Sequence, residues 1–482
     1  MSDLLDGLDP KPLWHYFLEL SKIPRGSKQE AAAAAWVMAQ GKALGCQVEQ
    51  DAVGNVLVRK AATPGKEGRP AVALQCHVDM VCEKNEGTAH DFQRDPIRVR
   101  RDGDVLRATG TTLGADNGIG VAAGLAVLAS RELSHPALEL LVTIDEETGL
   151  TGANGLAPGW LKAATLLNLD SEEEGELTIG CAGGMDTLAR RPLTQAPPPP
   201  GLKALRLKVS GLKGGHSGID IAAGRGNSIR LLAQVLQAVL ARHALWLVGV
   251  AGGNKRNAIP REASAVVLCA PEREAALAAD VARLSGEWRA ALGAFDPNLA
   301  ITLEPGVAAP VMSEGDARAV LGLLLAGPHG VEAMSPDIAG LVQTSTNMGL
   351  VETRDGAVEV NFLTRSSIDA SKHALAARIA ALAAVAGFEA THSGGYPGWK
   401  PEPGSQVVKL VDGVHQERFG KPMAIKAIHA GLECGLIGEK YPRMEMASIG
   451  PSMWDVHTPD EHVSIPSVKN FWTLLSAVLA RL

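Results

Sequence analysis

An α/β fold with a mostly parallel central sheet follows from three features of the sequence. Residues 12–185 alternate helical patterns with short apolar strands, those strands close in acids or histidine, and a proline run then breaks the pattern. At 482 residues the chain exceeds the size at which one hydrophobic core stops growing, so two or three domains are expected.

In chain order, helical spacing covers Pro12 to Lys22, Lys28 to Leu44 and Asn117 to Ser130, and strand patterns cover Ala71 to Cys76, Leu138 to Ile144 and Ala164 to Leu169. The run Gln195-Ala196-Pro197-Pro198-Pro199-Pro200-Gly201 can neither continue a helix nor donate to a ladder, and it marks a domain boundary. Beyond it, a strand at Leu202 to Val209, a helix at Asn227 to Arg242, a strand at Ala263 to Leu268 and a helix at Arg273 to Leu292 make one α+β unit. A looser second copy uses a helix at Asp316 to Leu325, a hairpin of Gly349 to Val351 with Val358 to Leu363, and a helix at Ser371 to Ala386. Gly394-Gly395-Tyr396-Pro397-Gly398 ends this region, and the remainder, closing in the helical Val468 to Arg481, is small for a domain and is expected to rejoin the first. The expected division is 1–185, 186–398 and 399–482, the first and last parts forming one domain around an α+β insert.

A 46% hydrophobic and 21% charged composition is that of a soluble globular protein. The formal net charge of -7 offers no basic surplus for a phosphate backbone, so nucleic acid is not an expected partner. Met1 to Gly7 lacks the basic and apolar regions of a signal peptide and no run is long enough to span a bilayer, which makes a cytoplasmic location the expectation, with no membrane partner. Six cysteines form no C-x-x-C pair and read as reduced thiols.

The chemistry gathers at strand ends. Leu141-Val142-Thr143-Ile144 runs into Asp145-Glu146-Glu147, acids that an apolar strand has no folding reason to carry. Neighbours on an extended segment face opposite ways, so one glutamate can bind a metal while the other handles protons. His77 ends another strand, Asp170 a third, and His462 lies beyond a fourth at Met444 to Ile449; in open α/β sheets such ends define one crevice. Asp79, two residues past His77, can accept from the imidazole nitrogen left free of metal. Asp116 precedes a helix, where an N-cap role and a ligand role are compatible, because a carboxylate has two oxygens. Two histidines with several acids suit Zn²⁺ or a neighbouring first-row metal. Five ligands are too many for one catalytic zinc but serve two ions if one carboxylate is shared.

Taken together, His77-Val78-Asp79, Gly114-Ala115-Asp116-Asn117-Gly118, Asp145-Glu146-Glu147-Thr148-Gly149, Asn168-Leu169-Asp170 and Asp460-Glu461-His462 resemble, in order and separation, the motifs of the M20 metallopeptidase family and its aminoacyl-histidine dipeptidase branch. The resemblance spans essentially the whole chain. It implies a zinc-peptidase-like α/β catalytic domain interrupted by an α+β lid, and hydrolysis of dipeptides, including those ending in histidine. By that likeness His77 and Asp170 hold one Zn²⁺, Glu147 and His462 hold the other, Asp116 bridges them, Asp79 orients the His77 side, and Glu146 is the general base. Co²⁺ and Mn²⁺ are the expected substitutes. His216, in Gly214-Gly215-His216-Ser217-Gly218, is similar to the imidazole that stabilises the family's oxyanion, and Asn257, Arg365 and Gly431 to its substrate contacts. A small peptide is the expected partner, and a homodimer is a family-level expectation.

Other signals weigh less. Gly118-Ile119-Gly120-Val121-Ala122-Ala123 fits a dinucleotide fingerprint, but the nearest strand, Val105 to Ala108, is followed by a long loop holding Asp116 instead of a tight turn. His90, His135, His243, His392 and His457 carry no motif of their own and read as structural or solvent-facing. Paired carboxylates also suit a glycosidase, yet aromatic residues are only 4%. An N-acyl-amino-acid deacylase is the rival within the class, and a non-catalytic binding protein on the same fold is the rival outside it.

Overall fold

The computed structural model describes residues 6–482, so residues 1–5 of the N-terminal segment lie outside the described residues. The chain divides into two compact units, one of residues 1–180, 401–427 and 432–482, the other of 181–400 and 428–431. The passage between units falls at Gly180 and Cys181, ahead of the proline run, which lies within the second unit.

The first unit is built on an eight-stranded sheet in the order Gln47–Gln50, Val56–Lys60, Leu138–Thr143, Val72–His77, Thr165–Asn168, Glu445–Ser448, Glu176–Cys181 and Ala424–Ile428. Its four central strands run parallel, from Leu138–Thr143 through Glu445–Ser448. Antiparallel partners flank them on both sides, Val56–Lys60 at one and Glu176–Cys181 at the other. Strands Val72–His77 and Leu138–Thr143 are buried at every position, as parallel strands covered on both faces must be. Helix Lys11–Leu20 packs on helix Ala115–Ala129, whose glycines sit in close contacts: a Cβ at Gly118 would press on Phe17 of the first helix, and one at Gly120 would strike the Asn117 side chain and the Leu169 carbonyl. Close packing, not a phosphate cradle, explains those glycines. A separate four-stranded sheet joins Met453–Trp454, His462–Ser464, Val105–Ala108 and Val99–Asp102.

The second unit is an antiparallel sheet in the order Ala300–Pro305, Lys203–Ser210, Ala263–Cys269, Trp246–Gly252, Val342–Arg354, Ala357–Ser366, Gly183–Pro192 and Glu389–Tyr396, with Gly330–Met334 pairing Val342–Arg354. Its halves meet through a short ladder, Ala251 opposite Glu352 and Gly252 opposite Val351. Helices Ser228–Leu240 and Asp369–Val385 pack onto the two halves, around a core containing Leu236, Val267, Phe362 and Ile379. Asn227 caps the first of these helices, accepting from the backbone N–H of Ile229 and Arg230. The hairpin expected from Gly349 to Leu363 is much longer, Val342–Arg354 with Ala357–Ser366. Polar residues Thr344, Ser345, Thr346 and Asn347 hid the strand from a hydrophobic pattern, although all four are buried.

The parallel centre requires tight turns at its strand ends. Gly450 follows the strand Glu445–Ser448, and a Cβ there would overlap the carbonyl of Ser171, next to Asp170. Gly450→Ala is therefore expected to destabilise the protein by about 1–3 kcal/mol. Guanidinium unfolding checks this, and an unchanged midpoint would refute it.

Candidate metal centre

The parallel register brings the ends of the four central strands to one edge. His77 is the last residue of its strand. Past Thr143 the backbone turns through Asp145 in the left-handed region (φ 49°) into the short helix Glu146–Gly149, with the Asp145 carboxylate held by the Thr148 and Thr151 hydroxyls. That turn sends Glu146 and Glu147 to the edge. Asp170 stands two residues beyond strand Thr165–Asn168.

Asp116 is the centre of what assembles there. Its Oδ1 lies 3.1 Å from His77 Nε2, and its Oδ2 lies 3.2 Å from His457 Nε2. His77 Nε2 is also 3.3 Å from Asp170 Oδ1, and His457 Nε2 is 3.0 Å from the Glu147 carboxylate. Three overlapping groups result, His77–Asp116–Asp170, Asp116–Glu147–His457 and His77–Glu146–Glu147, each with its ligand atoms within 4.8 Å of one another. Asp79 lies on the other side of the imidazole: its Oδ1 is 3.3 Å from His77 Nδ1, and its carboxylate accepts the backbone N–H groups of Glu146 at 3.0 Å and Glu147 at 3.3 Å and the Ser27 hydroxyl at 2.8 Å.

His462 stays outside this cluster, contrary to expectation, and His457 stands inside it. The reason is local. His462 pairs with Trp454 and Arg107 in the small sheet, its Nδ1 is 2.9 Å from the Asp460 carbonyl, and its ring packs 5.2 Å from that of Trp454. His457 sits on the loop between those strands, where Asp455 (φ 53°) and His457 itself (φ 64°) adopt left-handed backbone that turns the imidazole out of the ladder. One signal could have found it: a histidine in a turn-rich stretch after the fourth parallel strand occupies the topological place that Glu147 and Asp170 hold after theirs.

The donor set fits divalent ions. Ligands about 2.0–2.2 Å from one zinc sit roughly 3.3 Å apart, close to the separations seen here. Asp170 Oδ1 is buried without a well-aligned hydrogen-bond donor. Burial is the largest influence on the acids, raising Glu146 well above the ordinary range, Glu147 to a lesser degree and Asp170 to about 6. Crowded carboxylates with rising pKa values are what a site looks like before cations neutralise it. Burial pulls His77 down, but Asp170, Asp116 and Asp79 outweigh it and hold the ring's pKa well above its usual value. Hydrogen bonds to Asp116 and Glu147 lift His457 to about 11.

Sequence reasoning also missed Glu433. Its carboxyl is buried beneath the strand ends, 2.7 Å from the Thr143 hydroxyl and 2.5 Å from Gln75 Nε2, and burial pushes it up to about 8. Its α/β burial gives no periodic cue, since it begins a short helix, Glu433–Lys440.

A second polar cluster belongs to the other unit. His216 Nδ1 accepts the N–H groups of Gly218 at 3.3 Å and Ile219 at 3.1 Å, so the ring proton sits on Nε2, which faces Arg365 Nη2 at 3.4 Å. Burial, and then the Arg365 charge, lower the His216 pKa and keep the ring neutral. Two N–H donors thus converge where one anionic oxygen could accept both. Arg365 also donates to the Tyr396 hydroxyl at 3.0 Å, and a Cβ at Gly431 would meet that tyrosine ring at 3.0 Å. His429, absent from the sequence reading, lies in this cluster with Nε2 2.7 Å from the Ser345 hydroxyl; burial lowers it to about 3. Asn257 is exposed and reaches the cluster through its carbonyl, which accepts the Ser217 N–H at 2.9 Å.

Comparison with known proteins gives the chain's relatives. The family model described as "Peptidase family M20/M25/M40" matches residues 73–481. The chain is 43% identical over 478 residues to the cytosol non-specific dipeptidase of Escherichia coli (strain K12), covering 98% of each. It superposes on the crystal structure of aminoacylhistidine dipeptidase from Vibrio alginolyticus with a TM-score of 0.93 and 42% identity, covering 100% of this chain and 99% of that one. Aminopeptidase PepT from Bacillus cereus shares the fold at 16% identity, with a TM-score of 0.57.

The electrostatics predict how metal-free protein responds to pH. Asp170 and Glu433 have folded pKa values above their unfolded ones, so their stabilisation is complete below about pH 4 and is lost as pH rises through about 6 and 8. His457 acts in the same direction, fully stabilising below 6.5 and losing its contribution on the way to about 11. Asp79, held near 2 by the His77 contact despite burial, matters only in acid. The melting temperature in chelator is expected to fall by several degrees from pH 5.5 to 9, and bound divalent metal to flatten the decline. A flat or rising metal-free profile in calorimetry would contradict this.

Proposed function

The chain belongs to peptidase family M20/M25/M40, and on that premise we propose that it is a metal-dependent hydrolase of dipeptides. The observation carrying the proposal is the position of Asp116 between two imidazoles, His77 and His457, with Asp170 and Glu147 beyond them. His77 and Asp170 would hold one ion, His457 and Glu147 the other, and Asp116 both. When bound, such a pair of ions supplies an acidified water and polarises the scissile carbonyl.

The chain's own residues account for the remaining steps. Glu146 is the general base: burial raises its pKa, which makes its carboxylate a stronger acceptor of the water's proton, and the acid so formed can return that proton to the departing amine. Asp79 fixes the His77 ring and, through the N–H groups of Glu146 and Glu147, the turn that carries both glutamates. For the other unit we propose a lid role in which the neutral His216 donates Nε2–H to the oxyanion and Arg365 pairs with an anionic group of the peptide. Gly431, packed against the Tyr396 ring, and the exposed Asn257 complete the proposed substrate contacts of this unit. Zinc is the ion the nitrogen and oxygen donor set favours, with Co²⁺ or Mn²⁺ as substitutes. A cytoplasmic site of action accords with the cytosolic relative, and no described helix is long and apolar enough to cross a membrane.

The test is a panel of dipeptides, Ala-His included, and N-acetyl amino acids, assayed on protein stripped of metal and resupplied with Zn²⁺, Co²⁺ or Mn²⁺. Metal-restored release of amino acids from dipeptides supports the proposal; activity confined to N-acetyl substrates would make the enzyme a deacylase, and none in either class would make it a binding protein. Glu146→Gln is expected to lower kcat by about 10²–10⁴-fold with metal content intact. His457→Ala should reduce bound metal toward one ion per chain, whereas His462→Ala should retain both. The reverse order in elemental analysis would restore His462 as the ligand.

A further inference from the structure

Two buried ions of the first unit, Arg25 and Glu461, carry no part in the chemistry above. Each is 1% exposed. The Glu461 carboxylate reaches the loop that precedes Asp116 and accepts four successive backbone N–H groups: Oε2 takes Leu113 at 2.6 Å and Gly114 at 2.9 Å, while Oε1 takes Ala115 at 2.7 Å and Asp116 at 3.4 Å. Such a run of inward-pointing N–H groups requires a left-handed residue, supplied by Gly114 (φ 69°). Arg25 grips the same loop from the other side. Its Nη2 donates to the Gly114 carbonyl at 2.5 Å, and its Nη1 donates to the carbonyls of Val78 at 2.9 Å and Asp79 at 3.1 Å. A Cβ at residue 114 would collide with that guanidinium.

Burying a guanidinium and a carboxylate is costly, and hydrophobic replacements of similar volume often serve a fold as well or better. What these two provide is geometry. Arg25 ties the segment after His77 to the segment before Asp116, while Glu461 ties the latter to the C-terminal loop whose His457, four residues earlier, contacts Asp116 Oδ2. Three ligand-bearing segments, distant in sequence, meet at one peptide run.

Building on the metal reading above, we propose that Arg25 and Glu461 are positioning residues that set the Asp116 carboxylate between His77 and His457, and so tune affinity at both ions. Glu461→Gln is the discriminating change: it preserves shape, but its amide NH₂ would face N–H donors that need an acceptor. Arg25→Lys keeps the charge and loses the fork that spans two segments.

The experiment strips the full-length wild type and both variants of metal and titrates them with Co²⁺, reading the visible absorption of the bound ion, with circular dichroism to check folding and kcat and KM at saturating Co²⁺. Weaker Co²⁺ binding by 10–100-fold, an altered absorption band and a loss in kcat at near-constant KM are expected in folded variants. Wild-type affinity and spectrum in a folded variant would overturn the positioning role while leaving the metal reading intact. Failure of both variants to fold would also overturn it, making the pair a folding element. A wild type that takes up no Co²⁺ would instead sink the metal reading itself.

Discussion

Like charges crowded at one edge of a parallel sheet are the constraint around which the first unit is organised. Asp116, Glu146, Glu147 and Asp170 crowd together around His77 and His457, in surroundings where burial penalises every charge. No hydrophobic folding requirement produces that arrangement. It persists because the strands beneath are apolar throughout and hold their ends rigidly, and because divalent ions can stabilise what the chain alone leaves under strain of charge.

Around the acids lies a layer of carboxylates bound to backbone N–H groups. Asp79 accepts from two successive N–H groups of the glutamate turn, and Glu461 from four successive N–H groups of the Asp116 loop. In both cases a carboxylate from one segment fixes the backbone of another, so the candidate ligands inherit their positions from main chain and not from flexible side chains. Glu433, Thr143 and Gln75 extend the same polar layer beneath the strand ends. The second unit solves its own problem differently. There a neutral imidazole and a guanidinium are set side by side, with the His216 tautomer dictated by two backbone N–H groups.

Much of the fold was legible because its signals are local. The strands ending at His77 and leading to Glu146 and Asp170 emerged from short apolar runs, and their observed bounds differ from the expected ones by about a residue at either end. The strand Val342–Arg354 was seen only in part, since its buried threonine, serine and asparagine side chains satisfy their polarity through neighbours that no periodicity reveals, such as Thr344 with Ser366. The antiparallel margins of the first sheet were equally hidden, because they depend on chain reversals and not on composition.

The sequence by itself determined the class of fold and the kind of chemistry, since strand ends, acids and their spacing are properties of neighbouring residues. Only the tertiary structure decided which histidine completes the group. His457 and His462 are five residues apart on one hairpin, equally suited by residue type, and the left-handed turn at Asp455 and His457 sends one toward Asp116 while the ladder keeps the other against Trp454. Convergence of segments as far apart as Arg25, Gly114 and Glu461 was likewise beyond any local pattern, because contacts between remote residues are made by packing and hydrogen bonding that exist only once the chain has folded.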